Sequence, residues 1–87
     1  METVRGITNQ EFGRRIGCDH TTASRYRSGE RVPSTHTLGR ILESFDLTEG
    51  QRAAMWAAMS HPSLEQRRRE FGRWINSTIF DVPVPAT

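Results

Sequence analysis

An all-α bundle of about five short helices is the fold this sequence predicts, on three observations. Capping residues recur ahead of apolar stretches, at Thr8, Asp19, Ser34, Thr48 and Ser63. Between them, apolar residues return every three or four positions, the period of a half-buried helix. Gly17 and Gly29 close the first two segments, and glycine readily takes the left-handed conformation that ends a helix.

The first pair of helices is the most sharply written. Thr8 and Glu11 have the spacing of a capping box, and Phe12 and Ile16 form one apolar stripe before Gly17. After a brief turn Asp19 caps a second helix, with Ala23 and Tyr26 facing inward until Gly29. Gly13, without a side chain, lets that helix come close. His20, Thr21, Ser24 and Arg25 are left as an outward polar face, and the whole of residues 8–29 reads as a helix-turn-helix.

Ser34 then caps a helix to Phe45, with Leu38, Ile41, Leu42 and Phe45 as its inward stripe. Thr48 and Gln51 form a second capping box opening a helix through about Ser60. Its Trp56, with Met55 and Met59, is read as core against the preceding helix, or alternatively as part of a subunit interface. His61 and Pro62 end it. Ser63 and Gln66 start a last helix to about Thr78, on which Leu64, Phe71, Trp74, Ile75 and Ile79 keep a helical period. The run Arg67, Arg68 and Arg69 is read as a solvated face with Glu65 and Glu70 as partners, and DNA contact is the minor alternative.

Residues 8–29 resemble the helix-turn-helix of the lambda repressor and Cro family, the xenobiotic-response-element type. The resemblance rests on Gly13, Gly17, the apolar positions Phe12, Ile16, Ala23 and Tyr26, and the closing run ASRYRSG. It continues through Arg31, Pro33, Ser34, Thr37, Leu38, Arg40, Ile41 and Leu42, to about Thr48. The implied fold is a lambda-repressor-like bundle with a shortened first helix and an added C-terminal helix. Only METVRGI precedes Thr8, where that family has a complete first helix. Val4 and Ile7 supply at most one apolar turn, unless the segment is simply a frayed end. The core edge this exposes is expected to be covered by the C-terminal helix, by a second subunit, or by both. The chain divides accordingly into a core over residues 1–60, a C-terminal amphipathic helix of the same domain over 61–80, and a tail over 81–87. DVPVPAT in that tail reads as an extended arm across a dimer or as disorder.

Composition bounds the function. A chain of 87 residues is one domain that buries only about 60 to 65% of its unfolded surface. A thin core, with a mean hydropathy of −0.64, gains from pairing with a second copy. No apolar run reaches membrane length and no signal-peptide core is present, so a cytoplasmic protein is expected, nucleoid-associated in a bacterial host when bound to DNA. Cys18 is the single cysteine, which excludes an internal disulfide. All twelve basic residues are arginine, whose planar fork suits phosphate, and the pI is about 9.5. His20, His36 and His61 fall in separate elements without zinc spacing, and no nucleophile or phosphate-loop motif occurs. No enzyme, metal, cofactor or small-molecule ligand is expected.

The resemblance implies sequence-specific binding of double-stranded DNA through the major groove. Base readers are placed at His20, Thr21, Ser24 and Arg25. Arg25 is the strongest, because arginine donates two hydrogen bonds to guanine. Phosphate contacts are placed at Asn9 and Ser28, with Arg27 and Arg31 flanking the recognition helix; the competing reading of those two arginines is solvated surface paired with Glu30. One helix reads few bases, so a homodimer is expected, at least on DNA, on a palindromic operator. Trp56, Phe71, Trp74 and Ile75 are candidate dimer-interface residues. The small size is similar to a phage Cro or compact immunity repressor. An autoregulating antitoxin that clamps a toxin, and a protein-interaction module without DNA binding, are the alternatives.

Overall fold

The structure, a computed structural model, describes residues 7–80. Within them the chain forms α1 (Asn9–Ile16), α2 (His20–Ser28), α3 (Thr35–Ser44), α4 (Glu49–Ala58) and α5 (Leu64–Thr78), with no strand. The apolar turn expected around Val4 and the tail of residues 81–87 lie outside the described residues.

All five expected caps are present. The side-chain oxygens of Thr8, Asp19, Ser34, Thr48 and Ser63 each accept the backbone N–H three residues on. Only Thr48 closes a reciprocal box, its own N–H donating to Gln51 Oε1 at 2.9 Å. Glu11 turns instead to Arg14 at 3.3 Å and Arg15 at 3.1 Å, the pairing that i, i+3 and i, i+4 spacing favours on a helix surface.

Gly17 and Gly29 end α1 and α2 at φ 89° and 83°, in the left-handed region. The Gly17 and Cys18 N–H groups both donate to the Gly13 carbonyl, folding the turn back onto α1. A Cβ at Gly13 would collide with the carbonyl oxygen of Cys18. The close approach is therefore between α1 and the turn leading into α2.

One continuous core joins every helix. Phe12, Ile16, Ala23, Tyr26, Leu38, Ile41, Met55, Phe71, Trp74, Ile75, Ile79 and Phe80 form it, with Leu42, Phe45 and Ile7 partly buried at its edge. Phe12 is stacked on Phe45 at 5.8 Å and tilted on Phe80 at 5.3 Å, so both the α3 end and the second residue after α5 close over α1.

The C-terminal helix folds back on its own chain. Phe71 and Ile75 are fully enclosed and Trp74 nearly so, its indole N–H donating to the Gln51 carbonyl at 2.9 Å. Phe71 meets Tyr26 of α2 edge-on at 6.0 Å. Gly72 makes the crossing close: a Cβ there would lie 3.2 Å from the Tyr26 and Arg27 carbonyl oxygens. Of the two uses open to this helix, covering the core edge or pairing with a second subunit, the apolar face carrying the candidate dimer residues Phe71, Trp74 and Ile75 takes the first within this chain. Their surface is buried against α2 and α4, and taking each side chain out of water contributes about 1.5 to 3 kcal/mol to the fold, before any cavity cost that truncation would add.

Two expectations are corrected. Trp56 is 44% exposed, not core, because the inward phase of α4 runs through Gln51, Met55 and Ala58. Leu64 is 43% exposed at the first turn of α5, outside the buried stripe that begins at Phe71.

Candidate nucleic-acid interface

The α2 helix divides cleanly by face. Ala23 and Tyr26 anchor its back in the core at 0% and 4% exposure. A helix advances about 100° per residue, so His20, Thr21, Ser24, Arg25 and Ser28 share the opposite side, and all five are exposed. Asp19 holds the start of this surface. Its carboxylate accepts the Thr22 N–H at 2.8 Å, and that hydrogen bond, with smaller help from His20 and Arg25, lowers its pKa below the ordinary carboxylate value.

Arg25 is presented rather than held. Its Nε lies 4.0 Å from Glu30 Oε1, and both side chains are more than half exposed, a geometry that contributes little in water. Ser28 donates to the Arg25 carbonyl at 3.2 Å, leaving oxygen lone pairs and a rotatable hydroxyl at the surface. Arg31 is exposed on the loop that follows. Asn9 is the first residue of α1, where the N–H groups of a helix start point outward.

Arg27 departs from the expected free phosphate contact. It turns inward, with Nε donating to Asn76 Oδ1 at 2.7 Å and Nη1 donating to Asn9 Oδ1 at 2.8 Å. Its guanidinium carbon sits 4.1 Å from the centroid of the Phe80 ring. The Asn76 amide in turn donates to the Arg27 carbonyl at 3.2 Å. The physical reason is that Arg27 follows buried Tyr26 on the side of α2 covered by α5, and a donor-only fork there must find acceptors. Sequence reading missed Asn76 and Phe80. The one signal available was that Asn76 directly follows the apolar pair Trp74 and Ile75.

Two of the three arginines in the run have contacts within the chain. Arg67 donates to the His61 and Pro62 carbonyls, and Arg69 pairs with Glu65 at 3.5 Å. Burial, and then the neighbouring Asp19 charge, push the Cys18 thiol up, so it stays protonated at neutral pH. Among the described residues no three of His, Cys, Asp and Glu gather as a metal site, and no helix is long and apolar enough to cross a membrane.

The helix-turn-helix family model matches residues 5–51, just over half of the chain, from before α1 to the first turn of α4. The chain belongs to the helix-turn-helix family. Its all-helical architecture is that of a lambda-repressor-like helix-turn-helix bundle, and the protein is a DNA-binding transcriptional regulator. Comparison with curated proteins and with solved structures yields no match. Within this helix-turn-helix protein, Asn9 and Arg27 fall inside the matched span, whereas Asn76 and Phe80 fall beyond it.

Proposed function

We propose that the protein is a repressor of the Cro or immunity type, which docks α2 in the major groove of a palindromic operator and blocks a promoter. The observation that carries this reading is the exposed front of α2, with Arg25 held, among the described residues, by one loose pair while the back of the same helix is locked into the core. Each base pair shows a distinct donor and acceptor pattern in the major groove. His20, Thr21, Ser24 and Arg25 are the proposed base readers, and Asn9, Ser28 and Arg31 the proposed phosphate contacts. Such a regulator works in the cytoplasm, where the DNA is.

Two copies are proposed to bind half-sites about one helical turn, roughly 34 Å, apart. With Phe71, Trp74 and Ile75 enclosed, Trp56 is the remaining candidate for the subunit contact. In vitro selection from random DNA, followed by sequencing, tests both parts. A recovered inverted repeat is the expected result. A motif without symmetry, with sedimentation showing a monomer on the DNA, would remove the dimer, and no enrichment at all would remove sequence-specific binding. A stoichiometric toxin recovered with the protein from its own cells would shift the role to an antitoxin.

A further inference from the structure

We propose that Arg27 is a positioning residue that never touches DNA: it pins the Asn9 side-chain amide so that its NH2 group faces a backbone phosphate, and Asn76 of the C-terminal helix holds Arg27 in place. This inference rests on the DNA-binding reading and names the device that sets one of its phosphate contacts.

The chemistry of the groups dictates the arrangement. A guanidinium has five N–H donors and no acceptor, so the Asn9 atom 2.8 Å from Arg27 Nη1 must be the oxygen. The other end of the planar amide, the NH2 donor, is thereby turned away from Arg27. Asn9 is half-buried at the first residue of α1, so part of it remains open to solvent. An asparagine held only by water presents either end. Here a fixed cation selects the end that suits an anion, and polarises the amide toward better donation.

The arginine is itself held at both its head and its backbone. Asn76 Oδ1 accepts from Arg27 Nε at 2.7 Å, Asn76 Nδ2 donates to the Arg27 carbonyl at 3.2 Å, and Phe80 lies under the guanidinium at 4.1 Å. The relay therefore runs from α5 through α2 to α1 and ends on DNA. A helix beyond the family match controls a contact made by the first residue of the helix-turn-helix.

The test measures affinity of the full chain for its selected operator over a range of salt concentrations, with melting curves confirming that each variant folds. Asn9→Ala is expected to weaken binding about tenfold, the scale of one charge-assisted hydrogen bond. The slope of log affinity against log salt stays unchanged, because a neutral donor displaces no counterion. Arg27→Met keeps the packing over Phe80 and is expected to give a similar loss with the same slope. In the double variant the two losses do not add. Asn76→Ala gives a smaller loss that also disappears in the Asn9→Ala background, and it carries the same cycle if Arg27→Met fails to fold. A slope reduced by about one in Arg27→Met would make Arg27 a direct phosphate ligand and overturn the proposal. Additive losses would also overturn it, reducing the cluster to a structural brace. A wild-type protein without salt-sensitive binding would overturn the DNA-binding reading itself.

Discussion

Arg25 and Arg27 stand two positions apart on one nine-residue helix and have opposite surroundings. Arg25 points to solvent with, among the described residues, one loose acidic neighbour at 4.0 Å, while Arg27 is gripped by two asparagines and an aromatic ring. The difference follows from helical phase: Arg27 is carried toward α5 and Arg25 away from it. Charge alone thus says little about which arginine meets a polyanion. What decides is whether the fold offers acceptors on that side of the helix.

Substitutions at the back of α2 should act on stability, and those at its front on DNA. The largest effect is expected for Phe71→Ala, which empties a fully enclosed ring site beside Tyr26 and Trp74 and should cost about 3 to 5 kcal/mol in denaturant melts. In a domain this small that is a large part of the total stability, so DNA binding falls with it. If Phe71→Ala melted like the wild type, α5 would not be the support described.

Next comes Gly13→Ala. Its new methyl group would meet backbone at Cys18, which cannot swing aside as a side chain would, and a loss of about 1 to 3 kcal/mol is expected. Gly39→Ala supplies the contrast, because nothing lies within 4 Å of the added Cβ in the middle of α3. There the gain in helix propensity should raise stability by about 0.5 to 1 kcal/mol. Opposite signs for two helical glycines in one melting experiment would separate close approach from conformational entropy.

Much of the helix-turn-helix was legible in the sequence for a local reason. Thr8, Gly17, Asp19 and Gly29 act within three or four residues of themselves, so their caps and stops need no knowledge of the fold. The inward phase of α2 was legible too, from Ala23 and Tyr26. Trp56 was misplaced because the run AAMWAAM, residues 53–59, is apolar on every side, and periodicity cannot choose a face when all faces qualify. The inward positions are Met55, Ala58 and Gln51, whose carbonyl receives the Trp74 indole, and not the largest residue. Arg27 was misplaced for the opposite reason: Asn76 lies 49 positions away, and no local pattern announces it. The C-terminal helix itself was readable, as was its option of folding back, but the choice between folding back and self-pairing required the packed core.

The smallest effect concerns acid. The folded state lowers the Asp19 pKa through its bond to the Thr22 N–H, so this cap contributes stability above the ordinary carboxylate value of 3.8 and loses it as pH falls through the lower folded value. Asp19→Asn, which caps without titrating, should flatten that part of the acid unfolding curve. An unchanged acid limb would remove the cap from the pH dependence.

The two faces of α2 are tested most directly by repeating the DNA selection with Arg25→Ala and comparing the base preferences with those of the wild type. The expected result is an intact melting curve, a loss of about 1 to 3 kcal/mol on the wild-type operator, and relaxed preference at one base pair of each half-site. An equal loss on every sequence, with base preferences unchanged, would make Arg25 a phosphate contact and contradict the assignment of the α2 front as the surface that reads bases.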